Sequence, residues 1–159
     1  MLLQLDFLKY RSALQIKIIE GKQKIFDPVR KKFVVMTPEE LLRQLTLQYL
    51  LQGMQYPINR VRSEIGIEVN GMPRRCDIVV FDQDVRPWLL VECKSPKVPV
   101  DQAVMSQAVR YNTALGVPFV AITNGLQTYC CSIDYAAHDW HFLEDFPEWG
   151  KKPGPVGSE

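Results

Sequence analysis

Trp88-Leu89-Leu90-Val91 reads as a buried strand, yet it runs straight into Glu92-Cys93-Lys94. Side chains alternate faces along a strand, so Glu92 and Lys94 emerge on the same side. Upstream, Asp77 stands inside Cys76-Asp77-Ile78-Val79-Val80, where an acid among apolar residues is costly without a partner. If the turn Phe81 to Pro87 joins the two runs as a hairpin, Asp77 and Glu92 lie close together across it. Two carboxylates so placed repel unless a proton or a cation sits between them. A hard divalent cation such as Mg²⁺ suits two carboxylates, a backbone carbonyl and water, and the carbonyl of Cys93 is a natural third ligand. Lys94 is then placed to orient a water or to stabilise charge developing on a phosphate. The competing interpretation is a structural ion-pair network with no chemistry.

These residues need a scaffold, and the pattern along the chain supplies one. Short strands and turns are expected over about residues 13 to 35, as an N-terminal β extension. A helix follows, with Thr37 as N-cap, Pro38 at its first position, Glu40 at its third, and apolar Leu41, Leu42, Leu45 and Tyr49 at helical spacing up to Gly53. Val61–Val69, Arg74–Phe81 and Trp88–Lys94 then predict a three-strand meander. Asp101 to Gly116 predicts a second helix, and Val117–Thr123 and Gln127–Asp134 two more strands. A strand-helix-strand step implies a parallel crossover, so the fold class is α/β with a mixed central sheet flanked by helices.

At 159 residues the chain suits one domain, expected over residues 1 to 150, with a disordered Pro/Gly-rich tail from 151 to 159. The net charge of +1 argues mildly against an autonomous, tight duplex-DNA binder. Cys76, Cys93, Cys130 and Cys131 lack any CxxC spacing and read as buried thiols of a reducing compartment. Asp6 interrupts the apolar start and no apolar stretch approaches membrane-spanning length, so a cytoplasmic protein with no membrane partner is expected. His138 and His141 lack a third ligand in sequence, and no P-loop, GxGxxG or Ser/His/Asp arrangement is present. Glu64 and Glu68 share a strand face that could edge the site, and Arg74 and Arg75 could touch a phosphate backbone, but all four read by default as solvated strand residues.

An acid followed on the next strand by Glu92-Cys93-Lys94 resembles the PD-(D/E)XK nuclease superfamily, with Cys76 in place of the nominal proline. The segments IFDPVRKKFVVMTPEELLRQ, RRCDIVVFD, LLVECKSPKV, QAVRYN and VPFVAITNG, in that order, resemble small bacterial proteins related to the N-terminal nuclease domain of type I restriction enzyme R subunits. The resemblance implies a restriction-endonuclease-like fold and metal-dependent hydrolysis of DNA phosphodiesters. It implies Asp77 and Glu92 as catalytic metal ligands with the Cys93 carbonyl, Mg²⁺ or Mn²⁺ as cofactor, and Lys94 as a catalytic cation. By the same resemblance Glu40 faces the metal, although Glu40 is equally the third residue of a capping box and Glu39 could be the inward acid. Gln107 and Tyr111, one helical turn apart, match a Gln-x-x-x-Tyr of that superfamily and are expected to shape the site or touch DNA, the alternative being a surface glutamine and a core aromatic. DNA and a separate motor or restriction-system subunit are the implied partners. The alternative function is a catalytically silent nucleic-acid-binding or scaffold module of the same fold.

Overall fold

Hairpin chemistry opens the chain. In this computed structural model, which describes residues 2–69 and 71–154, a 3₁₀ turn over Phe7–Ala13 leads into β1 (Ile16–Ile19), β2 (Lys22–Asp27) and β3 (Lys32–Val35). These pair antiparallel in the order β1-β2-β3. Glu20 and Gly21 both take positive φ between β1 and β2, as a tight two-residue hairpin requires. The expected N-terminal β extension is therefore present.

Helix α1 (Pro38–Gln48) begins where the N-cap pattern places it, with the Thr37 hydroxyl accepting from the Glu40 amide at 3.0 Å. It continues into a π-helical turn over Tyr49–Gly53, not a plain α-helical end. Leu42, Leu45, Leu47 and Leu50 pack its inner face onto Ile78, Val80, Leu89 and Val91 of the main sheet. Burying each such aliphatic side chain contributes roughly 1.5–3 kcal/mol.

The main sheet has six strands in sequential order: β4 (Val61–Val69), β5 (Met72–Phe81), β6 (Pro87–Cys93), β7 (Phe119–Thr123), β8 (Thr128–Asp134) and β9 (Asp139–Phe142). All neighbours are antiparallel except β6 and β7, which run parallel because helix α2 (Gln102–Asn112) carries the chain back between them. Met105, Ala108 and Val109 of α2 pack on Val120, Ile122, Cys131 and Ile133 in an apolar cluster separate from that of α1. The result is a mixed α/β architecture with a helix against each of these two clusters, as the pattern of elements predicts. β9 lies in the segment around His138 and His141 that the sequence leaves as an ordinary strand or loop, and adds a sixth strand to the five that the apolar pattern predicts. Lys151, expected to open a disordered tail, is tied to the sheet, its carbonyl accepting from Trp88 Nε1 at 2.8 Å. Residues 155–159 of that tail lie outside the described residues. No helix among the described residues is long and apolar enough to cross a membrane.

Candidate active site

The regular pairing of β5 with β6 ends at Ile78 and Val91. One step further along both strands stand Asp77 and Glu92, and there a side chain takes over the ladder. The Cys93 amide donates to Asp77 Oδ2 at 2.9 Å. On the other flank, Glu64 lies between the pairs Ser63 with Ile78 and Ile65 with Cys76, and its φ is 49°. A non-glycine residue takes that left-handed conformation at a cost of about 1–3 kcal/mol. Cys76 and Val79 join one apolar cluster while Ile78 and Val80 join another, so strict alternation breaks at Asp77. The break turns Asp77 toward α1 at the mouth of the sheet.

Asp77, Glu92 and Lys94 line one open cleft of about 350 Å³, together with Arg74, Arg75 and Tyr111. The three residues singled out by their chemistry are thus brought together. Glu92 Oε1 accepts from Arg74 Nη2 at 2.9 Å, and its other oxygen lies 3.7 Å from Lys94 Nζ. Gln107 borders the adjoining hollow with Glu92, Lys94 and Tyr111, and Tyr111 is 65% exposed, so the pair lies at the site and the aromatic is no core residue.

Glu40, expected to face the metal, is placed elsewhere. On the first turn of α1 it is buried and accepts from Arg30 Nη2 at 2.6 Å and Gln44 Nε2 at 3.3 Å, with Arg43 Nη1 at 2.9 Å. Its side chain completes no capping box, since the Thr37 amide donates to the Val35 carbonyl. Glu39, the alternative inward acid, is mostly exposed and pairs with Arg43. Behind Glu40 lies Asp27, fully buried, which accepts from the amides of Val29 and Arg30, from Arg30 Nε, from Gln44 Nε2 and from Ser63 Oγ. Burial pushes the Asp27 carboxyl up, but the hydrogen bonds from Ser63, Arg30 and Gln44 outweigh it and hold it below the ordinary value.

Arg43 ties this buried group to the cleft. Its Nη2 lies 3.0 Å from Glu39, 2.7 Å from Glu64 and 3.0 Å from Asp77 Oδ1. Burial would lower its pKa, yet the hydrogen bond to Asp77 and the charges of Glu40, Glu64 and Asp77 raise it. Glu39, Glu64 and Asp77 each place an oxygen within 4.8 Å of the others, as a metal would require. A guanidinium already occupies that trio. The Asp77–Glu92 side suits a cation better. An ionised carboxylate offers about four acceptor directions, and each of these two uses only part of that capacity. Hard oxygen donors from two strands flanking an open cleft fit a hard divalent ion.

Arg43, Glu64 and Arg74 join the site beyond what the sequence predicts: Arg43 carries no expectation, and Glu64 and Arg74 read by default as solvated strand residues. Arg43 follows Glu39 and Glu40 at helical spacing, which signals only a surface ion pair, and Arg74 had no local signal of its burial. The four cysteines are free and buried, and burial pushes all four thiols up, Cys131 to about 12. None is a nucleophile at neutral pH. His141 pairs across from Ser132 in the sheet, and no third metal ligand joins the two histidines among the described residues.

A family model described as the type I restriction enzyme R protein N terminus matches residues 38–147, from the start of α1 past the end of β9. A search of curated proteins found no match.

Proposed function

The chain belongs to the type I restriction enzyme R protein N-terminal family, and from that premise we propose that it is a metal-dependent deoxyribonuclease domain of the PD-(D/E)XK kind. The observation that supports this most is the single cleft in which Asp77, Glu92 and Lys94 meet two arginines. Acids alone would suit many cations, but acids framed by Arg74, Arg75 and Lys94 suit a cation that works on a polyanion.

Asp77 and Glu92, with the backbone carbonyl of Cys93, would hold Mg²⁺ or Mn²⁺. When bound, such an ion supplies a water of lowered pKa and polarises the scissile phosphate. The chain's own residues do the rest. Arg43 and the Cys93 amide hold the two oxygens of Asp77, so that carboxylate keeps one orientation. Lys94, beside Glu92 and 43% exposed, orients the attacking water or neutralises charge gathering on the phosphate. Arg75, exposed at the rim, meets a neighbouring backbone phosphate. Gln107 and Tyr111 form the far wall against the DNA. Glu40 has no step here; it supports Arg43. DNA is the substrate, and a motor or restriction-system subunit is the partner expected to deliver it.

The test is cleavage of supercoiled plasmid and single-stranded circular DNA in Mg²⁺, Mn²⁺ or EDTA, with Lys94→Ala purified alongside. Metal-dependent cleavage that falls by at least about 100-fold in Lys94→Ala is expected. Equal activity in both proteins would move the chemistry away from this strand. Absence of cleavage in the wild type under every condition would favour a silent nucleic-acid-binding module, a reading to which the existing pairing of Asp77 with Arg43 and Glu92 with Arg74 lends some support.

A further inference from the structure

One contact in the cleft has no part in the hydrolytic scheme. Arg74 enters β5 ahead of Asp77 and turns its guanidinium inward, leaving its side chain only 9% exposed. Nη2 donates to Glu92 Oε1 at 2.9 Å, Nη1 donates to Asn112 Oδ1, and the guanidinium carbon lies 4.0 Å from the centre of the Tyr111 ring. Asn112 is itself fixed, being fully buried with its amide donating to the Ala108 carbonyl at 2.7 Å. Arg74 is thus seated on α2 by two groups that do not depend on Glu92. Its bond to Glu92 is the third, and it opens on the cleft.

That third bond falls on a carboxylate a divalent cation would need. A guanidinium and a metal ion compete for the same oxygen, and their like charges repel at such range. A phosphodiester entering the cleft offers the guanidinium two anionic oxygens in the fork geometry that arginine matches best. Arg74 can exchange Glu92 for phosphate while Asn112 and Tyr111 keep it in place. Arg75 has no such role, since it is 72% exposed and pairs with Glu64.

We propose that Arg74 is a latch on Glu92, closed in the free chain and released by a phosphodiester, so that the cleft takes up its divalent cation together with nucleic acid. The proposal rests on the hydrolytic reading above. By linkage, DNA raises metal affinity and the metal raises DNA affinity by the same factor.

Mn²⁺ binding to the full chain, followed through the resonance of the free ion, tests this without any turnover. Wild type, Arg74→Gln, Tyr111→Leu and Glu92→Gln are titrated alone and with a hydrolysis-resistant phosphorothioate duplex, the ions bound by the duplex itself being subtracted. The latch predicts roughly tenfold tighter Mn²⁺ binding by Arg74→Gln alone, and a gain on adding DNA that wild type shows and Arg74→Gln lacks. Tyr111→Leu, at an exposed position, loosens the seat without emptying the core, and a smaller gain of about threefold is expected; it carries the test if Arg74→Gln does not fold. If both variants bind Mn²⁺ as wild type does, while Glu92→Gln loses it, the latch is wrong and the hydrolytic reading stands. If Glu92→Gln binds as wild type does, the metal site is not at Glu92 and both readings fall.

Discussion

Arg43 and Arg74 both hold carboxylate, one beneath α1 and one at the open end of β5 and β6, on opposite terms. Arg43 is almost wholly buried and lies among Glu39, Glu40, Glu64 and Asp77, with Arg30, Gln44 and Asp27 behind. Its partners come from a helix, two strands of the main sheet and, through Asp27, the β extension. Arg74 has one carboxylate, which is partly exposed and faces solvent across a cleft. A buried network with many partners resists exchange, because loss of any member strands the others without water to replace it. A buried guanidinium whose one carboxylate is partly exposed on a cleft can trade that anion for another. The first arrangement builds a wall; the second leaves chemistry possible.

The comparison breaks most severely at Asp27. Replacing it by alanine strands Arg30, Gln44 and Ser63 and should cost about 3–5 kcal/mol, read as a lower urea midpoint with an unchanged slope. The same carboxylate sets an acid limit. Its folded pKa lies below the unfolded value, so its contribution is complete above pH ~4 and is lost as pH falls through the folded value. Wild type should therefore lose stability more steeply below pH ~4 than Asp27→Asn does.

Glu40→Gln sharpens the contrast. A charge leaves the buried network while the hydrogen-bonding shape stays, so a cost of about 1–3 kcal/mol is expected, with DNA cleavage within about threefold of wild type. A loss of about 100-fold in cleavage without loss of stability would return Glu40 to the catalytic group. The smallest effect belongs to the cleft. Lys94→Ala should change the unfolding free energy by less than about 0.5 kcal/mol, since its pair with Glu92 is exposed and long. The residue expected to matter most for turnover should matter least for folding.

Where local chemistry sets the structure, the sequence was legible. Thr37-Pro38 marks the start of α1, apolar runs mark β5 to β8, and the helix between β6 and β7 marks the parallel step. Asp77 and Glu92 stand out because acids at the ends of apolar strands demand a reason. What could not be read depends on residues distant in the chain. β9 is short, mixes polar and aromatic residues, and owes its order to pairing with β8. Arg43 is buried only because the β extension and β4 close over α1, and Arg74 only because Asn112 and Tyr111 arrive on α2. Glu40 shows the limit from the other side. Its place in a capping pattern and its place facing a metal were both plausible locally, and a third role, partner to Arg30 and Arg43, was settled by packing.

The parallel step between β6 and β7 has a consequence for the order of folding. β4, β5 and β6 meet through short turns, so their pairing closes small loops, whereas Leu89 must wait for Phe119, on the far side of α2. Loop closure over that span is entropically dearer and slower. The Lys94 amide finds its acceptor, the Thr123 carbonyl, only at that stage, and Arg74 finds Asn112 only once α2 docks. A chain still leaving the ribosome therefore holds every charged residue of the cleft before it holds the cleft, and a pairing that must wait for α2 is the one that gives those charges their places.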